Sequence, residues 1–119
     1  MGQNTKKYDL EERTFHFAEN CRNFCMKLPK NFSNIEYCKQ LVRSSGSQAA
    51  NYIEANESLG AKDFLHKIRI CRKESKESGL WLKLSVINQG DSLENDRATL
   101  IQESTELRRI FTAILNKSQ

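Results

Sequence analysis

Apolar residues recur along this chain at intervals of three, four and seven, the spacing that lines up one face of an α-helix and not the alternation of a half-buried strand. Three stretches interrupt the pattern: 29–32 at the chain's one proline, 57–61, and 88–92 around Gly90 and Asp91. Four helices are therefore predicted, at about 9–28, 33–56, 61–87 and 93–116. The first aligns Leu10, Phe17, Cys21, Phe24 and Leu28. The second aligns Ile35, Cys38, Leu41, Val42, Ser45, Gly46, Ala49, Tyr52 and Ile53, with small residues at its middle where a neighbouring backbone can approach. An interior glycine costs a helix about 1 kcal/mol against alanine, so close packing is the expected reason for Gly46. The third aligns Phe64, Ile68, Cys71, Ser75, Ser78 and Leu82; the fourth aligns Leu93, Leu100, Ser104, Leu107, Phe111 and Ile114.

Two helix starts carry the capping-box pattern, Asp9 with Glu12 and Ser33 with Glu36, in which a short polar side chain and a glutamate satisfy each other's free amides. Residues 1–8 are polar and read as a loose arm, leaving 9–119 as a single domain. Short links between long helices favour antiparallel neighbours, so the predicted fold is all-α, an antiparallel up-down-up-down four-helix bundle. A helical-hairpin repeat is the alternative, but no sequence repeat relates the two halves.

With 119 residues, 38% of them hydrophobic and 29% charged, the chain has the composition of a folded domain and not of a disordered tail. No apolar run approaches the ~20 residues a membrane span requires, and the amino terminus lacks an export signal's apolar core, so a cytoplasmic protein is expected. In that compartment Cys21, Cys25, Cys38 and Cys71, each in or beside an apolar stripe, are expected to be reduced core side chains. A soft-metal cluster of the four is the other reading.

Charge changes the picture most. Between Lys62 and Lys83 stand seven basic and three acidic residues, whereas the rest of the chain holds twelve of each, so the whole net charge of +4 belongs to the third helix. Lys62, Arg69, Lys76 and Lys83 recur every seven residues, with His66 and Lys73 between them, on the side opposite Phe64, Ile68, Cys71 and Leu82. A ridge of cations about 30 Å long can follow several phosphates and gain from counterion release, while a merely solvated face has the same pattern. The candidate nucleic-acid contacts are Lys62, His66, Arg69, Lys73, Lys76 and Lys83, with Arg72 beside them.

Phe15 and Met26 lie away from the apolar stripe of the first helix, and Ile70 and Trp81 lie off that of the third. These four are candidate subunit contacts; the alternative for Ile70 and Trp81 is a wide stripe buried within one bundle. A polar stripe, Gln40, Ser44, Ser47, Asn51 and Glu54, runs along the second helix and either bonds across an interface or faces water.

Chemistry-bearing motifs are missing. No glycine-rich phosphate loop, zinc-finger spacing or nucleophile elbow is present, so no catalytic residue, cofactor or metal is predicted and the chain reads as non-enzymatic. A di-iron bundle needs inward glutamates and Glu-x-x-His pairs; Asp63 with His66 is the nearest approximation, and His66 lies on the basic ridge.

Three stretches carry a family resemblance over nearly the whole chain: Gln40-Leu41-Val42-Arg43-Ser44-Ser45-Gly46-Ser47, then Ala50-Asn51-Tyr52-Ile53-Glu54-Ala55, then Lys62-Asp63-Phe64 through Lys67–Ser78 to Trp81-Leu82. The chain resembles the four-helix-bundle proteins encoded in intervening sequences of 23S rRNA genes, also called the S23 ribosomal protein family. That family is similar in fold to the accessory variability determinant of diversity-generating retroelements. The resemblance implies a bacterial antiparallel bundle, a homopentamer, no catalytic residues to carry over, and RNA and a reverse transcriptase as partners.

Overall fold

The computed structural model describes residues 6–117, with side chains from Leu10 onward. It contains four helices, α1 (Lys6–Lys27), α2 (Phe32–Asn56), α3 (Ala61–Leu84) and α4 (Leu93–Lys117), and no strand among the described residues. Each helix packs on its neighbour in sequence and α1 closes on α4, while the two diagonal pairs do not meet. That ring is the geometry of an antiparallel bundle. The α2–α3 seam is the most extensive and the α1–α4 seam the least. Leu10, Phe17, Cys21 and Phe24 of α1, Leu41 and Tyr52 of α2, Ile68, Cys71 and Leu82 of α3, and Leu100, Leu107, Phe111 and Leu115 of α4 make one core.

The helix ends differ from the sequence reading, for local reasons. Lys6, Lys7 and Tyr8 are already helical, so the expected arm at 1–8 overlaps α1 and its remainder lies outside the described residues; Asp9 sits within the helix and not at its start. The cap of α2 is Asn31, not Ser33: its Oδ1 accepts from the Asn34 amide at 2.9 Å and from the Ser33 hydroxyl at 3.2 Å. Asparagine in extended geometry serves this role at least as well as serine, and Glu36 turns instead toward Lys39.

The third helix stops at Leu84, three residues earlier than predicted, because buried Asn34 competes for the backbone of Val86. Its Oδ1 accepts the Val86 N–H at 2.8 Å, and its Nδ2 donates to Val86 O at 2.9 Å and to Pro29 O at 3.0 Å. One amide thus ties both links at this end of the bundle, and Arg97 holds Ser85 O from α4. Gly90 takes the left-handed conformation (φ 83°) in the turn before α4, where Asp91 accepts from the Leu93 amide at 2.9 Å.

The inward face of α2 is the main correction. Asn34, Leu41, Ser44, Ser45, Gln48, Tyr52 and Ala55 are buried, whereas Ile35, Val42 and Ile53 are 47%, 46% and 51% exposed. The helix is turned by most of the about 100° that separates neighbouring residues. Paired hydrogen bonds make this possible: the Ser44 and Ser78 hydroxyls meet at 2.7 Å, and Ser75 donates to Gln48 Oε1 at 2.7 Å. Buried polar groups satisfied in pairs are tolerated, although Gln48 Nε2 is left without a hydrogen-bond partner, and the small serines let α2 and α3 approach closely. Gly46 packs against nothing within 4 Å, so close approach does not account for it. The glycine at a helix crossing is Gly79 of α3, where an added Cβ would lie 3.0 Å from Ser104 Oγ of α4. In α4 the inward residue near the end is Leu115, with Ile114 only half-buried.

Candidate nucleic-acid interface

The outward face of α3 is built by helix geometry alone. A seven-residue step falls about 20° short of two full turns, so Lys62, Arg69, Lys76 and Lys83 drift by only about 60° over three steps and about 32 Å. The opposite face carries Ile68, Cys71, Ser75, Ser78 and Leu82, all buried, which fixes the rotation of the helix. Lys62, His66, Arg69, Lys73, Lys76 and Lys83 are exposed; Arg72 is half-buried. None of these seven forms an ion pair with a carboxylate among the described residues. Lys67, the remaining cation of the helix, turns toward Glu54 of α2 at 3.8 Å.

Glu74 and Glu77 of α3 lie on its α2 flank and are answered there. Glu74 is buried, 5% exposed, and accepts from Arg43 Nη1 and Nη2 of α2 at 3.4 Å each and from Ser47 Oγ at 3.2 Å. Glu77 lies 3.4 Å from the same guanidinium. One α2 arginine therefore pairs with both Glu74 and Glu77 and draws them away from the outward cations. Of the polar stripe on α2, Ser44 and Ser47 bond inward to α3, and Asn51 Nδ2 donates back to Ser47 O at 2.9 Å.

On the α4 flank the cations continue across a groove of about 450 Å³ whose lining includes Lys73, Lys76, Gly79, Lys83, Ser104 and Arg108. Arg108 was not among the sequence candidates. Its own helix shows only an arginine pair at 108 and 109; what brings it to α3 is the Gly79–Ser104 crossing, a tertiary contact with no signature in either helix alone.

The candidate subunit contacts divide. Phe15 and Met26 are 57% and 70% exposed. Ile70 is half-buried, and Trp81 is half-buried on the core, stacked on Tyr37 with ring centroids 6.2 Å apart. A further apolar exposure lies where the sequence pattern predicts core, on the outer face of α2 at Ile35, Val42 and Ile53.

All four cysteines are free thiols: Cys21 and Cys71 are buried, and Cys25 and Cys38 are half-buried. Burial pushes the Cys21 and Cys71 thiols up to about 12, and Cys25 upward as well, so all three stay protonated near neutrality. Among the described residues no three His, Cys, Asp or Glu side chains gather as metal ligands, and no helix is long and apolar enough to cross a membrane.

A four-helix bundle with one unpaired cationic helix face is the class that fold and surface define. The sequence profile of the 23S rRNA-intervening sequence protein family matches residues 6–113, and the chain belongs to that family. It is similar to a protein of the S23 ribosomal protein family from Bacteroides thetaiotaomicron VPI-5482, whose crystal structure is described as that of a protein of unknown function. The TM-score is 0.75 at 26% sequence identity, covering 89% of this chain and 97% of that one. No curated protein matches the chain in sequence.

Proposed function

We propose that this protein is a non-enzymatic, homo-oligomeric RNA-binding protein of the cytoplasm that holds RNA by its phosphates along the outer face of α3. The observation that carries this reading is that exposed Lys62, Arg69, Lys73, Lys76 and Lys83 have no carboxylate partner among the described residues, while Glu74 and Glu77 of the same helix are held by Arg43. Recognition of this kind follows charge and shape, because lysine and arginine ends on a straight ridge reach backbone phosphates and not base edges. The family's link to an rRNA intervening sequence is consistent with an RNA ligand, and a bundle used as a scaffold requires no catalytic group.

The triple variant Arg69→Glu, Lys73→Glu, Lys76→Glu tests it. Fluorescence anisotropy with a labelled single-stranded RNA should show binding lost at moderate salt, and in the wild type a slope of log K on log salt steeper by about 2, from about 0.7 per phosphate contact for three contacts. Far-ultraviolet circular dichroism should be unchanged, since the three side chains support nothing in the fold. Equal affinity for RNA in variant and wild type would end the proposal.

Self-association is supported by the exposed apolar face of α2, Ile35, Val42 and Ile53, together with exposed Phe15 and Met26. Light scattering should report an oligomer, and Val42→Glu with Ile53→Glu should reduce it to monomer. A partner protein such as a reverse transcriptase is the other occupant of that face. Capture that survives nuclease and high salt would favour it, because apolar contacts are not screened.

A further inference from the structure

We infer that the groove between α3 and α4 at the Gly79–Ser104 crossing is a discrete phosphate seat, and not simply one more stretch of a uniform ridge. The inference rests on, and deepens, the polyanion reading above.

Four cations border this one depression, Lys73, Lys76 and Lys83 from α3 and Arg108 from α4. Gly79 has no side chain to fill the crossing and is itself buried against Ser104, so the depression persists where the cations converge. Lys62, His66 and Arg69, by contrast, are exposed along α3 itself and do not line this groove. Between α3 and α4 a phosphate meets cations on both sides, with half-buried Arg108 offering the planar fork that suits its oxygens.

The remaining lining groups do not oppose an anion. Glu77 reaches the groove's edge, but its carboxylate is 3.4 Å from the Arg43 guanidinium. The Ser104 and Thr105 hydroxyls donate to Ile101 O at 2.8 and 3.1 Å, and Ser75 donates to Gln48 and Cys71, which leaves the recognition to the cations. Exposed Leu80 supplies an apolar wall against which a sugar edge can rest.

The ligand is a phosphate group, either of an RNA backbone or of a free phosphate or phosphate monoester. Titration of isotope-labelled full-length protein with inorganic phosphate, at constant ionic strength set by chloride, tests the seat by amide chemical shifts. Saturable shifts concentrated at Gly79, Leu80, Ser104 and Arg108, and lost in Arg108→Gln, are expected. Shifts spread evenly from Lys62 to Lys83, or unchanged by Arg108→Gln, would overturn the inference, whatever RNA does.

The source follows from a second arm using the labelled RNA, comparing Arg108→Gln with Lys62→Gln, each a loss of one charge. If the phosphate is a backbone phosphate, Arg108→Gln weakens RNA binding about tenfold while Lys62→Gln, at the end of the ridge, costs about twofold to threefold. If the two are equal while inorganic phosphate still seats at Gly79 and Ser104, the groove stands as a site for a free phosphate and RNA follows the ridge; if RNA does not bind at all, the groove still stands and the RNA reading alone is lost.

Discussion

The two flanks of α3 share one helix and one length, yet they stand in opposite electrostatic conditions. Toward α2, Glu74 and Glu77 meet Arg43, Lys67 meets Glu54, and Ser44 meets Ser78, so each of these charged or polar groups is answered by its neighbour. Toward α4 and the solvent, Arg69, Lys73, Lys76 and Lys83 have no carboxylate partner among the described residues, and Arg108 adds a further cation at the groove. What separates the flanks is the neighbour: the same helix is structural where α2 answers it and available to a ligand where nothing does. A charge run is therefore best judged by its partners and not by its net value.

The sharpest way to break this comparison is one charge reversal on each flank. Arg43→Glu places a third carboxylate beside Glu74, which is buried and would keep only the Ser47 hydroxyl, so a loss of about 3 kcal/mol is expected, at the low end for a broken buried pair because Arg43 itself is half exposed. Lys76→Glu, on the other flank, should change stability by no more than about 0.5 kcal/mol, as for an exposed side chain without contacts. Urea denaturation of the two variants gives the difference directly. Equal losses would mean that the outward cations are structural, and that the distinction between the flanks is false.

A smaller effect is expected where Gly79 of α3 meets Ser104 of α4. Gly79→Ala gains helix propensity of about 1 kcal/mol but sets its Cβ 3.0 Å from Ser104 Oγ, a contact that offsets the gain and leaves the variant less stable by about 1 kcal/mol. Removing the oxygen with Ser104→Ala leaves the Cβ of residue 104 at 3.9 Å, an ordinary contact distance. In that background Gly79→Ala should stabilise. A double-mutant cycle by denaturation reads the sign change. The same sign in both backgrounds would show that the glycine is there for a reason other than proximity.

Three of the four apolar stripes were legible in the sequence because their inward residues are apolar by the ordinary measure: Phe17 and Phe24 in α1, Ile68 and Leu82 in α3, Leu107 and Phe111 in α4. The stripe on α2 was misplaced because its inward residues are polar, and Asn34, Ser44 and Gln48 are hidden only because Val86, Ser78 and Ser75 answer them from distant positions. Hydropathy cannot register a pairing between two chain segments, so Ile35, Val42 and Ile53 were assigned to the core. The α3 cations were legible for the complementary reason, since a heptad of lysine and arginine opposite an apolar stripe is a property of one helix. Arg108 was not, because its place beside them depends on how α4 crosses α3 at Gly79.

A contrast in pH dependence separates the inner from the outer side of α3. Burial raises the Cys21 and Cys71 thiols from the ordinary 9.0 to about 12, while the unfolded chain ionises them near 9. Above pH 9 the unfolded state therefore binds fewer protons than the folded one. Stability then falls as pH rises, by up to about 1.4 kcal/mol per pH unit for each thiol, and is fully retained below pH 9. Tyr52, also raised by burial, acts in the same direction. Cys71→Ser preserves a hydroxyl donor where the thiol now points to Gln48 O at 3.5 Å, and removes one ionisation. Denaturation midpoints between pH 8 and pH 11 should fall less steeply in Cys71→Ser than in the wild type, and Lys73→Gln should follow the wild-type curve. Should Lys73→Gln flatten the profile instead, the outer face of α3 would be contributing to the fold, and the contrast between its two sides would not hold.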